Sequence, residues 1–228
     1  VSCSEFSSKR SNRPSGLARI NQRFPSLDPS ITNSGRKGLS GSSKKDREIW
    51  DEFHNDWEKL TVECEKLRGF LGIPSNLEIT DSTESEEIDM TDYTGDTRVA
   101  IIQQRMKQNF FRRAVLASYR GRCCISGVSD ARFLVASHIV PWSKDRANRL
   151  NPRNGLCLSS IHDKAFDNHL FSLTDDHEII LSNSIKQTSD KFLREIFWHI
   201  DGQKIEMPDR FFPHTDFIEN HRTTMAQN

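Results

Sequence analysis

The sequence predicts an α+β fold in which two short β-strands and one helix form a compact unit among longer helices. Two apolar β-type runs, residues 133–136 and 156–159, are bounded by turn-forming and polar segments. An amphipathic helix is predicted directly after the second run, over residues 160–170. A β-β-α unit of this size is too small to be stable alone. We therefore expect the surrounding helices to complete its core, with a helical extension at the N-terminal side.

The chain is long enough for one core, or for one core with an appended segment. It has 228 residues, of which 35% are hydrophobic and 28% are charged. No run approaches the roughly 20 apolar residues that a membrane span needs, so no membrane partner is expected. The polar start carries no signal-peptide pattern, and the five cysteines have no regular spacing. These features are typical of a protein in the reducing cytoplasm.

The formal net charge of zero hides three blocks of opposite charge. Residues 1–45 contain nine Lys or Arg against two acids, and residues 98–129 contain seven against none. Residues 73–97, which lie between them, contain eight acids and no base. Local fields attract a polyanion more than net charge does, so the two basic blocks are candidate contacts for nucleic acid.

Composition and periodicity divide the chain into three parts. Residues 1–72 are basic and predicted to be helical, and they are a candidate region for DNA binding or dimerisation. Residues 73–97 are acidic, rich in Ser and Thr and without periodicity, which is typical of a flexible linker. Residues 98–228 begin with a second predicted helix, in which Met106 and Phe110 face the core, and they contain the β-β-α unit.

The clearest periodicity predicts one long helix over residues 45–71. Apolar residues recur there at alternating spacings of three and four, and they are Trp50, Phe53, Trp57, Leu60, Cys64, Leu67 and Leu71. Such a stripe is expected to pack against a partner helix, either within the chain or in a homodimer.

Polar residues with catalytic potential follow the predicted strands. His138 comes after the first strand, and an Asn154-Gly155 turn leads into the second. Asp163 and Asp167 are four residues apart on the next helix, so they share one face. A histidine is a suitable base at pH 7 because its ordinary pKa is roughly 6.5. Two carboxylates on one face are oxygen ligands of the kind that Mg²⁺ or Mn²⁺ prefers. If these groups converge, they form a water-activating base beside a divalent metal.

Each of these residues also has a purely structural interpretation. A lone histidine after a strand is usually a core residue with satisfied hydrogen bonds, and an Asn before Gly is usually a turn former. Asp163 and Asp167 are equally consistent with helix-face charges that pair with Lys164 or Arg146. The residue types alone do not separate these interpretations.

The motifs HI-x-PW, NGL-x-L and FD occur in one register, with His138, Asn154 and Asp167 in successive motifs. In this order they resemble the HNH, or ββα-metal, endonuclease family, over residues 98–222. Residues 13–71 also resemble the N-terminal region of bacterial restriction endonucleases of this type. The resemblance implies a small ββα-metal nuclease core, cleavage of DNA phosphodiester bonds, and a role in restriction or defence against foreign DNA.

The resemblance also implies a role for each site residue. His138 corresponds to the general base, and Asn154 to the group that braces the base or joins the metal shell. Asp163 and Asp167 fall at the two helix positions where relatives place metal ligands. The implied cofactor is one divalent ion, Mg²⁺ or Mn²⁺.

The sequence departs from the wider family at two places. Many relatives carry Asp or His before the base, whereas this chain has Ser137, so His162 is a further candidate metal ligand beside Ser137. Many relatives also bind zinc through two CxxC pairs, and the matching positions here read CISG from Cys124 and SSIH from Ser159. Only one thiol of four remains, so we predict no structural zinc.

Candidate contacts to the DNA backbone are five arginines, namely Arg112, Arg113, Arg146, Arg149 and Arg153. The expected partner is double-stranded DNA. A homodimer is also expected, because cutting both strands with one site per chain favours two copies. The alternative function is a catalytically inactive nucleic-acid-binding module on a degenerate HNH fold, which Ser137 at a ligand position favours. Cleavage of RNA ranks lower because aromatic residues for stacking single strands are lacking.

Overall fold

The computed structural model describes residues 26–33, 42–54, 56–72 and 95–227. Contacts between residues divide the chain into two compact units, Val1–Asn55 and Asp56–Asn228. Most of the acidic linker predicted over 73–97 lies outside the described residues, and so do residues 1–25 of the region that was predicted to be helical. Those two predictions, and the domain boundary within the linker, stay predictions.

The described part of the first unit contains two helices, α1 (Pro29–Thr32) and α2 (Lys44–Phe53). Helix α2 begins with a capping box, in which Ser43 Oγ accepts a hydrogen bond from the backbone N–H of Asp46 at 3.1 Å. The Asp46 carboxylate in turn accepts one from the backbone N–H of Ser43 at 2.7 Å. This reciprocal pair satisfies two N–H groups that the first helical turn leaves without partners.

The prediction of one continuous helix over 45–71 is wrong. Helix α2 ends at Phe53, and a separate helix α3 (Trp57–Phe70) begins after Asp56. The Asp56 carboxylate accepts a hydrogen bond from the backbone N–H of Lys59 at 2.9 Å. Aspartate favours this N-terminal position over a helix interior because its short side chain competes for backbone N–H groups. The apolar spacing continues from Phe53 to Trp57, but these two residues belong to separate helices.

The second half of α3 is more exposed than the predicted apolar stripe requires. Leu67 is 59% exposed and Leu71 is 65% exposed. The buried residue of α3 is Thr61, whose hydroxyl donates to the backbone oxygen of Trp57 at 2.7 Å. The stripe is therefore not a continuous buried face, and the homodimer stays a prediction.

The remaining elements follow the predicted order of strands and helices. They are α4 (Gly95–Ser118), β1 (Leu134–His138), β2 (Gly155–Ser159), α5 (Ser160–Asp167), β3 (Phe171–Leu173), β4 (Ile179–Leu181), α6 (Asn183–Lys186), α7 (Lys191–Phe197) and α8 (Thr215–Gln227). The fold is α+β, which confirms the predicted class. Within the described ranges, every helix is too short or too polar to cross a bilayer.

Strands β1 and β2 pair antiparallel, so the last residue of β1 lies beside the first residue of β2. Ser137 lies opposite Leu156 and His138 lies opposite Gly155. Helix α5 follows β2 directly and packs on both strands. Neighbouring side chains of a strand point to opposite faces, so Ser137 and His138 face different helices. The predicted β-β-α order is present, with α5 ending at Asp167.

Helix α4 packs against both strands on the side away from α5. Its buried residues include Phe111 and Val115, which are 2% and 0% exposed. Phe110, which the sequence placed toward the core, is only half-buried. The core-facing register is therefore shifted by one residue, because adjacent aromatic residues give the helical periodicity two equivalent solutions.

Gly155→Ala should destabilise the protein by about 1–3 kcal/mol, because overpacking a filled core costs this much. A β-carbon at position 155 would lie 2.5 Å from Val115 Cγ2 and 2.8 Å from Phe111 Cζ. Urea unfolding followed by circular dichroism measures the change. Gly69→Ala is the matched control, since nothing lies within 4 Å of its added carbon. Gly69→Ala should stabilise the protein slightly, because alanine favours a helix more than glycine does. Equal changes in the free energy of unfolding for both variants would contradict the packing argument.

Strands β3 and β4 form an antiparallel hairpin, with Phe171 opposite Leu181. The C-terminal helix α8 packs on β3. The buried face of α8 includes Ile218 and His221, which are 1% and 4% exposed. Strand β3 also contacts α5, which joins the hairpin to the β-β-α unit.

Two buried histidines should make the second unit sensitive to acid. Burial lowers the pKa of His138 to about 4 and that of His221 to about 3. In the unfolded chain both regain a pKa of roughly 6.5. Between these values the unfolded state binds more protons, so the free energy of unfolding should fall as the pH falls from 7 to 4. Thermal melts across this range measure the slope. His221→Gln should flatten it, and an unchanged slope would contradict the assignment.

Candidate active site

His138 is held between two aromatic rings at the end of β1. Its imidazole stacks on Phe111 of α4, with ring centroids 3.8 Å apart and an interplanar angle of 7°. The Trp142 ring meets it edge-on at 5.7 Å. These contacts leave the ring little rotational freedom, so its nitrogens have defined directions.

The hydrogen bond of His138 determines which nitrogen carries the hydrogen. Nε2 lies 3.0 Å from the backbone oxygen of Arg149. A carbonyl oxygen only accepts, so Nε2 is the N–H donor and the neutral ring has its lone pair on Nδ1. Burial lowers the pKa to about 4, which keeps the ring neutral at pH 7. The ring is therefore in the protonation state of a general base.

Asn154 forms hydrogen bonds with the backbone that follows His138. Its side chain is 0% exposed, and Oδ1 accepts from the Val140 N–H at 2.8 Å while Nδ2 donates to Val140 O at 3.0 Å. Its backbone oxygen accepts from the Ile139 N–H at 3.0 Å. The Asn154 amide is therefore hydrogen-bonded to the backbone that follows His138, which is the geometry that a bracing role requires.

Ser137 and Asp163 bring two oxygen donors together between β1 and α5. Ser137 Oγ is buried and has no hydrogen-bond partner in the described part of the chain. It nevertheless lies near enough to the Asp163 carboxyl to influence it. Burial raises the pKa of Asp163, and the Ser137 hydroxyl partly opposes this change. A buried hydroxyl without a partner and a carboxylate in an apolar setting are both stabilised by a nearby cation.

The structure separates the other candidate metal ligands. Asp167 lies one turn beyond Asp163 and is exposed at the end of α5. His162 is 5% exposed, and its Nδ1 lies 2.7 Å from Ser159 Oγ. His162 also meets the Phe197 ring edge-on at 5.8 Å. It therefore faces α7, whereas Asp163 faces Ser137.

No three His, Cys, Asp or Glu side chains converge on one point within the residues that the structure describes. The oxygen atoms that the structure brings together are Ser137 Oγ and the carboxylate of Asp163, and Asp167 lies one helical turn away from them. Mg²⁺ is usually bound by one or two carboxylates and retains several waters. A site with so few protein oxygen ligands suits Mg²⁺ better than Ca²⁺, which takes six to eight oxygen ligands.

The cysteine beside His162 is Cys123, whereas the sequence comparison with zinc-binding relatives began at Cys124. Cys123 Sγ lies 3.9 Å from His162 Nδ1 and 3.4 Å from the Ser126 N–H. Cys124 instead donates its N–H to Cys157 O at 2.8 Å. The absence of structural zinc stays a prediction, now for a corner made of one thiol, one imidazole and two serines.

Among the candidate arginines, the contacts of Arg112, Arg113 and Arg149 within the protein are defined. Arg112 donates to the backbone oxygens of Leu134 and Ala131, at 2.8 Å and 3.3 Å, which ties α4 to the start of β1. Arg113 forms an ion pair with Glu65 of α3. These two residues therefore have structural roles in addition to the predicted contact with DNA.

Arg149 links α3 to the candidate base. Its Nη2 lies 3.6 Å from Glu58 Oε1, and its guanidinium lies 5.0 Å from the centre of the Trp142 ring. Its backbone oxygen accepts the hydrogen bond of His138. Arg146 is exposed and Arg153 is half-buried, so of the five arginines Arg146 presents the most side chain to a ligand.

Sequence reasoning missed two residues that shape this site. Phe111 supports His138, and its only signal was the helical spacing of α4. Glu58 contacts Arg149 and also Lys107, at 2.7 Å between Nζ and Oε1. No local pattern could have revealed Glu58, because these contacts join residues far apart in the chain.

Comparison with protein families matches residues 123–174 to a family described as HNH endonuclease. No curated protein matches the chain. Among solved structures, a chain described as a modification dependent TagI restriction endonuclease is similar to 50% of this chain and 36% of that chain, at 20% identity and a TM-score of 0.35. The similarity thus spans about a third of the other chain's length.

Proposed function

We propose, from the match of residues 123–174 to a family described as HNH endonuclease, that the chain is a metal-dependent DNA endonuclease with His138 as its general base. The observation that supports this most is the fixed, neutral imidazole at the end of β1, next in sequence to the oxygen donor Ser137. Its tautomer leaves Nδ1 as the basic nitrogen.

In the proposed reaction, His138 Nδ1 removes a proton from a water molecule as the water oxygen attacks phosphorus. The bond from phosphorus to the 3′-oxygen breaks, and the leaving oxygen takes a proton from solvent. The Arg149 carbonyl keeps Nε2 as the donor, so the resulting imidazolium is stabilised by that same hydrogen bond. Phe111 and Asn154 keep the base and the following chain in place.

Ser137, Asp163 and Asp167 are the residues that would hold the divalent metal, Mg²⁺ or Mn²⁺. When bound, the ion supplies positive charge against the phosphate and the departing oxygen. His162 is the weakest of the candidate ligands because its Nδ1 is already paired with Ser159.

We propose double-stranded DNA as the substrate, and the basic residues around the site support this. Contacts between Lys or Arg and phosphates release counterions, so binding should weaken steeply with salt. Arg146 and Arg153 are proposed as direct contacts. Arg112, Arg113 and Arg149 add positive potential while they also serve as structural links.

Glu58→Gln should strengthen DNA binding about 3- to 10-fold at low salt, because Lys107 and Arg149 lose a competing carboxylate. Fluorescence anisotropy of a labelled duplex, titrated at several salt concentrations, measures the affinity. The control is Glu219→Gln on α8, which makes the same charge change at another exposed position. An equal gain in both variants would mean that only net charge matters, which would contradict a specific role for Glu58.

Incubation of supercoiled plasmid with the protein tests the proposed function. Conversion to nicked or linear DNA is expected with Mg²⁺ or Mn²⁺ and not with EDTA. Retention of supercoiled DNA under all three conditions would rule out the proposal for this substrate. RNA in the same assay tests the lower-ranked alternative.

The second candidate function is a DNA-binding module without catalysis, which the serine at position 137 favours. A hydroxyl is a weaker metal ligand than a carboxylate or an imidazole. Binding to DNA that is independent of metal, without any nicking, would support this module. Metal-dependent nicking excludes it.

We also propose a role in restriction of foreign DNA in the cytoplasm, supported by the resemblance of residues 13–71 to restriction endonucleases. A homodimer would place two sites on the two strands of one duplex, and the stripe over residues 50–71 is the proposed surface. Light scattering of the purified protein measures the oligomeric state. Infection of cells with and without the expressed protein measures restriction, and equal plaque counts would contradict the defence role.

A further inference from the structure

Arg149 contacts the candidate base through its backbone and other residues through its side chain. Its backbone oxygen lies 3.0 Å from His138 Nε2. Its side chain is 26% exposed, and the guanidinium lies 5.0 Å from the centre of the Trp142 ring. The Trp142 ring in turn meets the His138 ring edge-on, with centroids 5.7 Å apart. Arg149 therefore contacts the base directly through its backbone and indirectly, by way of Trp142, through its side chain.

The loop residues on both sides of Arg149 are held in place. The Asp145 carboxylate accepts hydrogen bonds from the Asn148 backbone N–H at 3.1 Å and from Asn148 Nδ2 at 2.8 Å. Leu150 is 2% exposed and belongs to the core. Neither contact involves Arg149 itself. The direction of its carbonyl group therefore also depends on what its side chain contacts.

Glu58 of α3 holds this side chain from outside the loop. Arg149 Nη2 lies 3.6 Å from Glu58 Oε1, and Lys107 Nζ lies 2.7 Å from the same oxygen. The start of α3 is anchored next to Glu58, because the Trp57 ring meets the Phe211 ring edge-on at 5.4 Å. The Glu58 side chain is 59% exposed, so its ion pair with Arg149 adds little to stability. Its main consequence is the place where the Arg149 side chain lies.

We propose that Glu58 and Arg149 are positioning residues for His138. The Glu58 carboxylate and the Trp142 ring hold the Arg149 side chain, and Arg149 thereby directs its backbone oxygen at the imidazole. The inference rests on the proposed nuclease function and deepens it, because it gives an arginine that was predicted to contact DNA a role in the rate of cleavage. Misplacement of a reacting group by about 1 Å costs up to roughly 100-fold in rate. Loss of the pair should therefore slow cleavage even when all the DNA is bound.

Arg149→Met removes the guanidinium while it keeps the backbone oxygen. We expect the rate of plasmid nicking at saturating protein to fall about 10- to 100-fold, which is less than the loss of the base itself would cause. Arg149→Lys should retain part of the rate, because an ammonium group also pairs with a carboxylate and with an aromatic ring. The matched control is Arg194→Met on α7, where a guanidinium lies 5.4 Å from the centre of the Trp198 ring. This control should nick at the wild-type rate.

Glu58→Gln should change affinity and rate in opposite directions. The variant should bind DNA more tightly, because Lys107 and Arg149 lose a competing carboxylate. Its nicking rate at saturating protein should nevertheless fall about 2- to 5-fold, which corresponds to the loss of one exposed ion pair. If Glu58 acts only through Arg149, adding Glu58→Gln to Arg149→Met should cause no further loss of rate. Fluorescence anisotropy measures the affinity, and the decay of supercoiled DNA measures the rate.

The position of the His138 ring can also be measured without catalysis. The Phe111 ring lies parallel to it, with centroids 3.8 Å apart, so the ring current of Phe111 should shift the carbon-bound protons of His138 in the NMR spectrum. In metal-free Arg149→Met at constant pH, these signals should move towards the values of an unfolded chain. In Arg194→Met they should keep their wild-type values. Circular dichroism confirms that each variant is folded before either comparison.

Three results would overturn this inference alone, in a wild-type protein that nicks plasmid. Weaker binding by Arg149→Met with an unchanged rate at saturating protein would make Arg149 a DNA contact only. Unchanged His138 signals in that variant would show that the ring is held without the arginine side chain. An unchanged rate in Glu58→Gln, or a further loss in the double variant, would mean that Glu58 does not act through Arg149.

Glu58→Gln keeps the test decisive if Arg149→Met does not fold, because the exposed Glu58 carboxylate contributes little to stability. A wild-type protein that leaves plasmid supercoiled with Mg²⁺ and with Mn²⁺ would overturn the proposed function and this inference together.

Discussion

His138→Ala should lower the rate of plasmid nicking about 10²- to 10⁴-fold, the usual contribution of a positioned general base. The expectation follows from the neutral ring, which is stacked on Phe111 and donates through Nε2 to Arg149 O. DNA affinity should change little, since the imidazole acts on water rather than on the phosphate backbone. The loss should therefore appear in the rate at saturating protein, measured from the decay of supercoiled DNA.

Removal of a ring that stacks on Phe111 also leaves a cavity, so a second measurement is needed. Added imidazole should partly restore the rate of His138→Ala by occupying that cavity. The exposed His199 provides a control variant, His199→Ala, which should nick at the wild-type rate. A His138→Ala protein that is folded and fully active would show that another group activates water.

Asp163→Asn should have opposite effects on activity and on stability. Burial raises the pKa of Asp163, so its carboxylate at pH 7 costs folding free energy that a neutral amide does not. The melting temperature of the metal-free variant should therefore be equal to or higher than that of the wild type. Metal-dependent nicking should fall at least about 100-fold if Asp163 is the charged metal ligand that we propose.

Titration of Mn²⁺, followed by electron paramagnetic resonance, measures the metal affinity of Asp163→Asn directly. Asp176→Asn, at an exposed turn position, is the matched charge control. A variant that is less stable than the wild type and still binds Mn²⁺ normally would indicate that Asp163 is a structural helix residue. The same titration with Ser137→Ala tests whether the unpartnered hydroxyl contributes to the site.

The β-β-α unit could be predicted because its pattern is local. Two short apolar runs, an Asn-Gly turn and two acids at helical spacing all lie between residues 133 and 170, and each is a property of a few neighbouring residues. The proximity of Ser137 to Asp163 follows from the same order of elements.

The residues that hold the site residues in place could not be predicted, because they contact the site from distant parts of the chain. Phe111 reaches His138 from α4, and Glu58 reaches Arg149 from α3. Tertiary packing also decided the register of α4, where Phe110 and Phe111 are equivalent by spacing. The break before Asp56 was missed because the apolar periodicity continues through it, although aspartate at a helix start is itself a recognisable signal.

The stacking of His138 on Phe111 has a consequence for any exchange of this domain between proteins. Phe111 lies before residue 123, so a chimera built from residues 123–174 alone would inherit the imidazole without the aromatic wall that holds it. A recombination boundary placed ahead of α3 would transfer both, together with Glu58. A chimera that contains only residues 123–174 should therefore have low nuclease activity, even though it retains His138, Asn154 and Asp163.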